Sequence, residues 1–188
     1  MSKNSNNKQR AMVSAVVLML AAGTAYASTI MVGGAPMYPN RNIVENAVNS
    51  KDHTTLVSAV KAAGLVDTLA GAGPFTVFAP TNEAFARLPK GTVQNLVMPE
   101  NKPTLTKVLT YHVVAGRYTA QDLMKMVKEG GGQASLKTVE GETLTVMEGR
   151  MGHTLYVEDA TGGRARVTIA NVLQSNGVIH VVNKVLMP

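Results

Sequence analysis

Cysteine is absent from the 188 residues. That excludes disulfides, thiol catalysis, thiolate zinc sites and a lipid-modified amino-terminal cysteine, and leaves the hydrophobic core to hold the fold. No Asn-x-Ser/Thr sequon and no Arg-Gly-Asp tripeptide occurs. Strong charge is also missing. The full chain carries +6, but Lys3, Lys8 and Arg10 supply three of the 18 basic residues, so the balance beyond residue 27 falls to +3. A nucleic-acid partner needs a concentrated basic face interleaved with aromatics. Aromatics here are 4% of the chain and the densest basic pair is Arg164 and Arg166, so nucleic acid is not expected. The four histidines form neither His-x-His nor His-Glu-x-x-His, and no Asp-rich loop resembles a calcium site. Hence no metal and no cofactor are expected. The longest apolar run, Ala11 to Ala22, falls short of the roughly 20 residues that a spanning helix wants.

What that run does have is the right flanks for export. Basic residues precede it, and Ala25-Tyr26-Ala27 offers the small side chains a signal peptidase requires. Residues 1–27 are therefore expected to be a signal peptide cleaved after Ala27. The product would be secreted, periplasmic or at the cell surface, with no transmembrane segment left. Residues 28–41, with two Gly and two Pro, read as a flexible lead-in, and 42–188 as one domain.

Along that domain the apolar period is first helical and then that of strands. Ile43, Val44, Ala47 and Val48 make one stripe; Leu56, Val57, Val60 and Ala63 make a second, stopped by Gly64. Phe75 to Ala79 is a compact apolar strand, followed by helical spacing over 82–88, 92–98 and 103–110. Tyr111 to Val114 reads as extended. Thr119-x-x-Asp122 opens a further helix as a capping box, and Gly130-Gly131-Gly132 ends it. Strand spacing then covers 135–139, 143–147, 154–157, 167–173 and 178–182, with Asn176-Gly177 as a hairpin turn. Helices first and strands later predict an α+β fold with no internal repeat.

Few residues offer chemistry. Thr81 and Asn82 sit where the strand Phe75–Ala79 passes into a helix, a corner able to hold an oxyanion but equally suited to a helix cap. Their neighbours do not form Gly-x-Ser-x-Gly, so the cap is expected and no catalytic residue is assigned. His180 shares a strand face with Val178 and Val182, and His112 follows Tyr111 on an apolar segment. Polar tips in such places need internal partners. His53 and His153 read as solvent-facing, as do the paired carboxylates Glu158-Asp159 and Glu140 with Glu142. Gly71-x-Gly73 and the triple glycine read as spacers and not as phosphate loops.

Three ordered segments carry a resemblance. Phe75-Thr-Val-Phe-Ala-Pro-Thr-Asn-Glu-Ala-Phe85, Leu109-Thr-Tyr-His-Val-Val114 and Ser175-Asn-Gly-Val-Ile-His-Val-Val-Asn-Lys-Val-Leu-Met-Pro188 resemble the signatures of fasciclin-type adhesion domains, most closely the bacterial secreted single-domain members. The resemblance implies a wedge of two β-sheets overlaid by several helices, with the first and last signature strands close together. It implies a non-enzymatic role in adhesion to a cell-surface or matrix component, protein or glycan, or in self-association. It further implies binding by Tyr111 and His112 with Leu105, Leu109, Val113 and Val114, and a structural role for Thr81, Asn82, Asn176, Gly177 and His180. The Asn-Lys-Asp-Ile peptide of some animal members is absent, since Val185 follows Asn183-Lys184. Two other readings remain: a small-ligand-binding or hydrolytic envelope protein using Thr81 with His112 as base, and a purely structural envelope protein.

Overall fold

The computed structural model of the chain describes residues 29–149, 152 and 154–188; the expected signal peptide and His153 lie outside them. The first described residues correct the sequence reading. Within the expected flexible lead-in, strands β1 (Ile30–Val32) and β2 (Ala35–Met37) pair as a hairpin. Gly33 and Gly34 close it, both at positive φ, the backbone a two-residue hairpin turn demands. Val32 and Met37 are only 4% exposed, so the hairpin belongs to the core. The signal was present, an alternating apolar pattern around Gly-Gly, but it was hidden by the Pro and Gly content. Buried Asn46 fastens the hairpin to the first helix and to the last long strand: its Oδ1 accepts from Tyr38 N at 3.0 Å, and its Nδ2 donates to Tyr38 O at 2.8 Å and to Gln174 Oε1.

Helices α1 (Ile43–Ala47), α2 (Thr54–Ala63) and α3 (Val66–Ala70) come next. Asn42 and Glu45 form a capping box for α1, and Gly64, at φ 73°, ends α2. Strand β3 (Phe75–Pro80) leads into α4 (Asn82–Ala86), α5 (Thr92–Leu96) and α6 (Lys102–Tyr111). Tyr111 is the last helical residue and His112 the cap, so the extended segment β4 (Val113–Ala115) begins two residues later than its spacing suggested. After α7 (Ala120–Glu129), capped by Thr119 and Asp122 as expected, come β5 (Gln133–Lys137), β6 (Thr143–Glu148), β7 (Leu155–Glu158), β8 (Arg164–Gln174) and β9 (Gly177–Val182).

The last seven strands form one ladder in the order β4-β3-β9-β8-β7-β6-β5. Its only parallel pair among the described strands is β3 with β9, which places the first and last signature strands side by side. Long β8 belongs to both halves: Arg164 to Arg166 pair with β7, and Val167 to Gln174 pair with β9 through two register shifts. Such irregularities bend a strand and sharpen its twist. The ladder thereby folds into the two sheets of a wedge, and a bridge from Val114 to Thr138 ties its outer strands together. One core fills the wedge around Phe78, Tyr111, Leu123, Leu144 and Val157; a second packs helices over the other face around Leu56, Val60, Leu105, Leu109 and Ile179. Every residue of β9 is buried, as expected of a strand covered on both faces.

Candidate functional site

The corner after β3 is built from caps. Thr81 has extended backbone, and its Oγ1 accepts from Ala84 N at 3.3 Å, at the head of α4. Asn82 caps a different helix: its Oδ1 accepts from Thr55 N at 3.0 Å and Thr54 Oγ1 at 3.2 Å, while its Nδ2 donates to Lys51 O at 2.8 Å. These bonds dock the start of α2 on the corner. Replacing Thr81 by Ser should leave stability nearly unchanged, and replacing it by Val should cost about 1 kcal/mol, read from urea unfolding.

Asn176 works at the opposite end of β9. Its Oδ1 accepts from Ile43 N at 3.0 Å, and its Nδ2 donates to Leu69 O and Gly71 O, each at 2.8 Å. One side chain thus joins the start of α1 to the end of α3. Gly177 comes next because a Cβ there would lie 2.2 Å from the Phe75 carbonyl oxygen on β3.

The Tyr-His segment is internal. Tyr111 is 0% exposed and His112 2%, and Leu105, Leu109, Val113 and Val114 are all at or below 5%. A partner could reach these six side chains only by opening the core, so the fold places the resemblance-derived binding group inside. Tyr111 Oη donates to Thr143 O at 3.1 Å and accepts from Ala160 N at 2.9 Å, linking α6 to the start of β6 and to the β7–β8 connection. Burial pushes its phenol above the ordinary range. His112 Nδ1 donates to Val108 O at 2.8 Å, and its Nε2 accepts from Leu186 N at 3.0 Å. This fixes a neutral imidazole, and burial pushes its pKa down to about 4. With both nitrogens engaged, His112 has no free lone pair to take a proton from Thr81. His180 is equally buried: its Nε2 donates to Tyr118 O at 2.9 Å, and its ring stacks on Phe78. Burial lowers its pKa as well.

Two residues depart from their reading as solvated. Asp159 is 6% exposed. Its Oδ1 accepts from Thr161 N, Thr161 Oγ1 and Gly163 N, and its Oδ2 from Met187 N, so it anchors the segment after β9 to the β7–β8 turn. The run Asp-Ala-Thr-Gly-Gly is a signal for such a side-chain turn. His53 is 3% exposed, at the cap of α2, with its Nδ1 paired to Ser50 Oγ at 2.8 Å. Among the described residues no cluster of three or more His, Asp or Glu could hold a metal ion, and no helix is long and apolar enough to cross a membrane.

Comparison with known proteins agrees with this geometry. The chain is 49% identical to the Synechocystis protein sll1483 over 148 residues, covering 78% of this chain and 73% of that one. It is 33% identical to the cell surface glycolipoprotein MPB83 of Mycobacterium bovis over 147 residues, covering 76% of this chain and 58% of the relative. A solved structure of a FAS1 domain pair from the insect cell adhesion molecule Fasciclin I superposes with a TM-score of 0.71 at 19% identity, over 80% of this chain and 52% of the pair. The Fasciclin domain family model matches residues 51–188. The chain belongs to the Fasciclin domain family.

Proposed function

We propose that this protein is an exported, non-enzymatic fasciclin domain that attaches to a cell-surface or matrix component, protein or glycan, through its outer face. One observation carries the reading: Thr81, Tyr111, His112, Asn176 and His180 of the three signature segments are bonded inside the molecule, which leaves the outer surface to meet a partner. Exposed Met31, Val48, Met98 and Val139 provide apolar contact points there. The surface location named for MPB83 and the adhesion role named for Fasciclin I support the same class of function. A stable contact of this kind needs on the order of 1,000 Å² of buried surface, or several copies acting together.

The hydrolytic alternative loses its base with His112. A purely structural envelope role is separated from attachment by deleting the gene and measuring adhesion against envelope leakiness. The direct test is binding of the purified protein to intact cells, to envelope glycans and to itself, beside a control protein of similar charge. Saturable binding to one of them is expected; binding no greater than the control's in all three would remove the proposal.

A further inference from the structure

The strands packed on α7 have one bare face. Along β5 to β8, Ala134, Leu136, Leu144, Val146, Val157 and Ala165 point into the wedge, where they pack with Leu123 and Val127 of α7. Their alternating neighbours point the other way. In register across the four strands, Gln133 stands beside Met147, Met147 beside Tyr156 and Tyr156 beside Arg166. The next row is Ser135, Thr145, Glu158 and Arg164, and Lys137 stands beside Thr143 at the far corner. All of these side chains are half-buried or exposed. The first row continues onto the segment after β9: Arg166 N donates to Asn183 Oδ1 at 2.8 Å, and Arg87 Nη1, at the C-cap of α4, donates to Asn183 O at 3.2 Å.

Charge on this face is one-sided. Glu158 is the one acid at these outward positions, and its Oε2 lies 2.5 Å from Arg164 Nε. Lys184 Nζ is held beside the Asp159 carboxylate, since both flank the point that a Cβ at Gly163 would take. Arg166 and Lys137 pair with no acid among the described residues. Arg87 spends one donor on Asn183 and has others to spare. The one aromatic ring of the face stands beside Arg166: a Cβ at Gly149 would lie 2.9 Å from Tyr156 Cε2, so the ring rests against that glycine.

Shape and spacing narrow the partner. An open sheet face does not enclose a small molecule, so the partner is extended. The row from Gln133 to Asn183 covers four strand spacings, ~19 Å at ~4.8 Å each. The amide and hydroxyls of Gln133, Ser135, Thr143 and Thr145 favour a polar partner over the apolar centre of a protein interface. A single strand of nucleic acid brings a charge every ~3.4 Å and wants several stacking rings. Here one ring is offered, and the unpaired cations Arg166 and Lys137 stand on the first and last of four strands. A hydroxyl-rich chain bearing carboxylates meets each of these features.

We infer that the outer face of β5 to β8 binds an acidic polysaccharide: Arg166, with Arg87 beside it, takes a carboxylate, Tyr156 carries the apolar face of a sugar ring, and Lys137 meets a second carboxylate further along the chain. This rests on the attachment reading above and names its partner. A planar guanidinium holds a carboxylate through two parallel hydrogen bonds. Each exposed pair is weak alone, so the face retains a polymer that offers many sites.

Biolayer interferometry of the purified protein on immobilised polygalacturonate, its methyl ester and single-stranded DNA tests this. Polygalacturonate is expected to bind tightest, and the binding should fade in about 0.5 M salt. Arg166→Gln should weaken it about fivefold and leave binding to the ester unchanged. Tyr156→Thr should weaken both about fivefold. Lys128→Gln, at an exposed position on α7 behind the sheet, should change neither. Circular dichroism checks that each variant is folded. Wild-type protein that binds intact cells but not polygalacturonate would overturn this inference and leave the attachment reading standing; binding to neither would remove both. Equal losses from Lys128→Gln and Arg166→Gln, equal affinity for the acid and its ester, or tighter binding to DNA than to polygalacturonate would each overturn it as well.

Discussion

Acidification from pH 7 to pH 4 is expected to cost the domain on the order of 3 kcal/mol through His112 alone. In the folded protein the His112 imidazole titrates at about 4, because burial opposes its charge; in the unfolded chain it titrates near the ordinary value of about 6.5. Between these values the unfolded state binds the proton and the folded state does not. Stability is therefore complete above pH ~6.5, falls as pH drops towards ~4, and loses nothing more through this residue below that. The structural reason is visible at Nε2, which accepts from Leu186 N and would present a second donor to it if protonated. Burial lowers His180 and His53 too, so both add to the loss in the same direction. Asp122, held below its usual range by hydrogen bonds from Thr119, loses its contribution only as pH falls through the carboxylate range. Urea midpoints at pH 7, 5.5 and 4 measure the slope, and His112→Asn should flatten it while lowering stability at pH 7. A midpoint that stays level from pH 7 to pH 4 would contradict the buried neutral assignment.

The hairpin turn before β9 is the second sensitive point. Asn176→Ala removes three hydrogen bonds and leaves Ile43 N, Leu69 O and Gly71 O to find other partners. At about 1 kcal/mol each, the expected loss is ~3 kcal/mol, or roughly 10 °C in melting temperature for a domain of this size. Gly177→Ala should be at least as damaging. The new methyl group would sit 2.2 Å from the Phe75 carbonyl, and β3 cannot yield because it is paired to β4 on one side and β9 on the other. Asn49→Ala is the control: its exposed side chain bonds only to Glu45 O, and its loss should shift stability by less than about 0.5 kcal/mol. Equal melting temperatures for the Asn176 and Asn49 variants would show that the turn is not the clasp described here.

The two results share a cause, which also explains what was legible beforehand. Asn176 and His112 each have partners far along the chain, Ile43, Leu69 and Gly71 for the first and Leu186 for the second. A single sequence shows that a polar residue stands in an apolar run; it does not show what meets it. The same limit hid Asn82, whose place after Pro80-Thr81 suggested a cap for its own helix and whose side chain instead caps α2, 27 residues earlier. It hid His53 as well. Nothing beside His53 is a long apolar run, and the interior space it lines is shared with Val32 and Met37 of the hairpin and Val77 and Ala79 of β3.

Local rules were sufficient wherever both partners lie within a few residues. Gly64 ends α2, Thr119 and Asp122 box the start of α7, and Asn176-Gly177 turns β8 into β9, because backbone geometry and side-chain reach decide these within one turn of chain. The change of apolar period from helical to alternating fixed the α+β class for the same reason. Tertiary structure alone decided that β3 and β9 pair in parallel, that β8 bends the ladder into a wedge, and that the Tyr-His segment faces inward. Those outcomes depend on which apolar face covers which, and that is settled by the whole chain at once, through contacts made across a hundred residues or more.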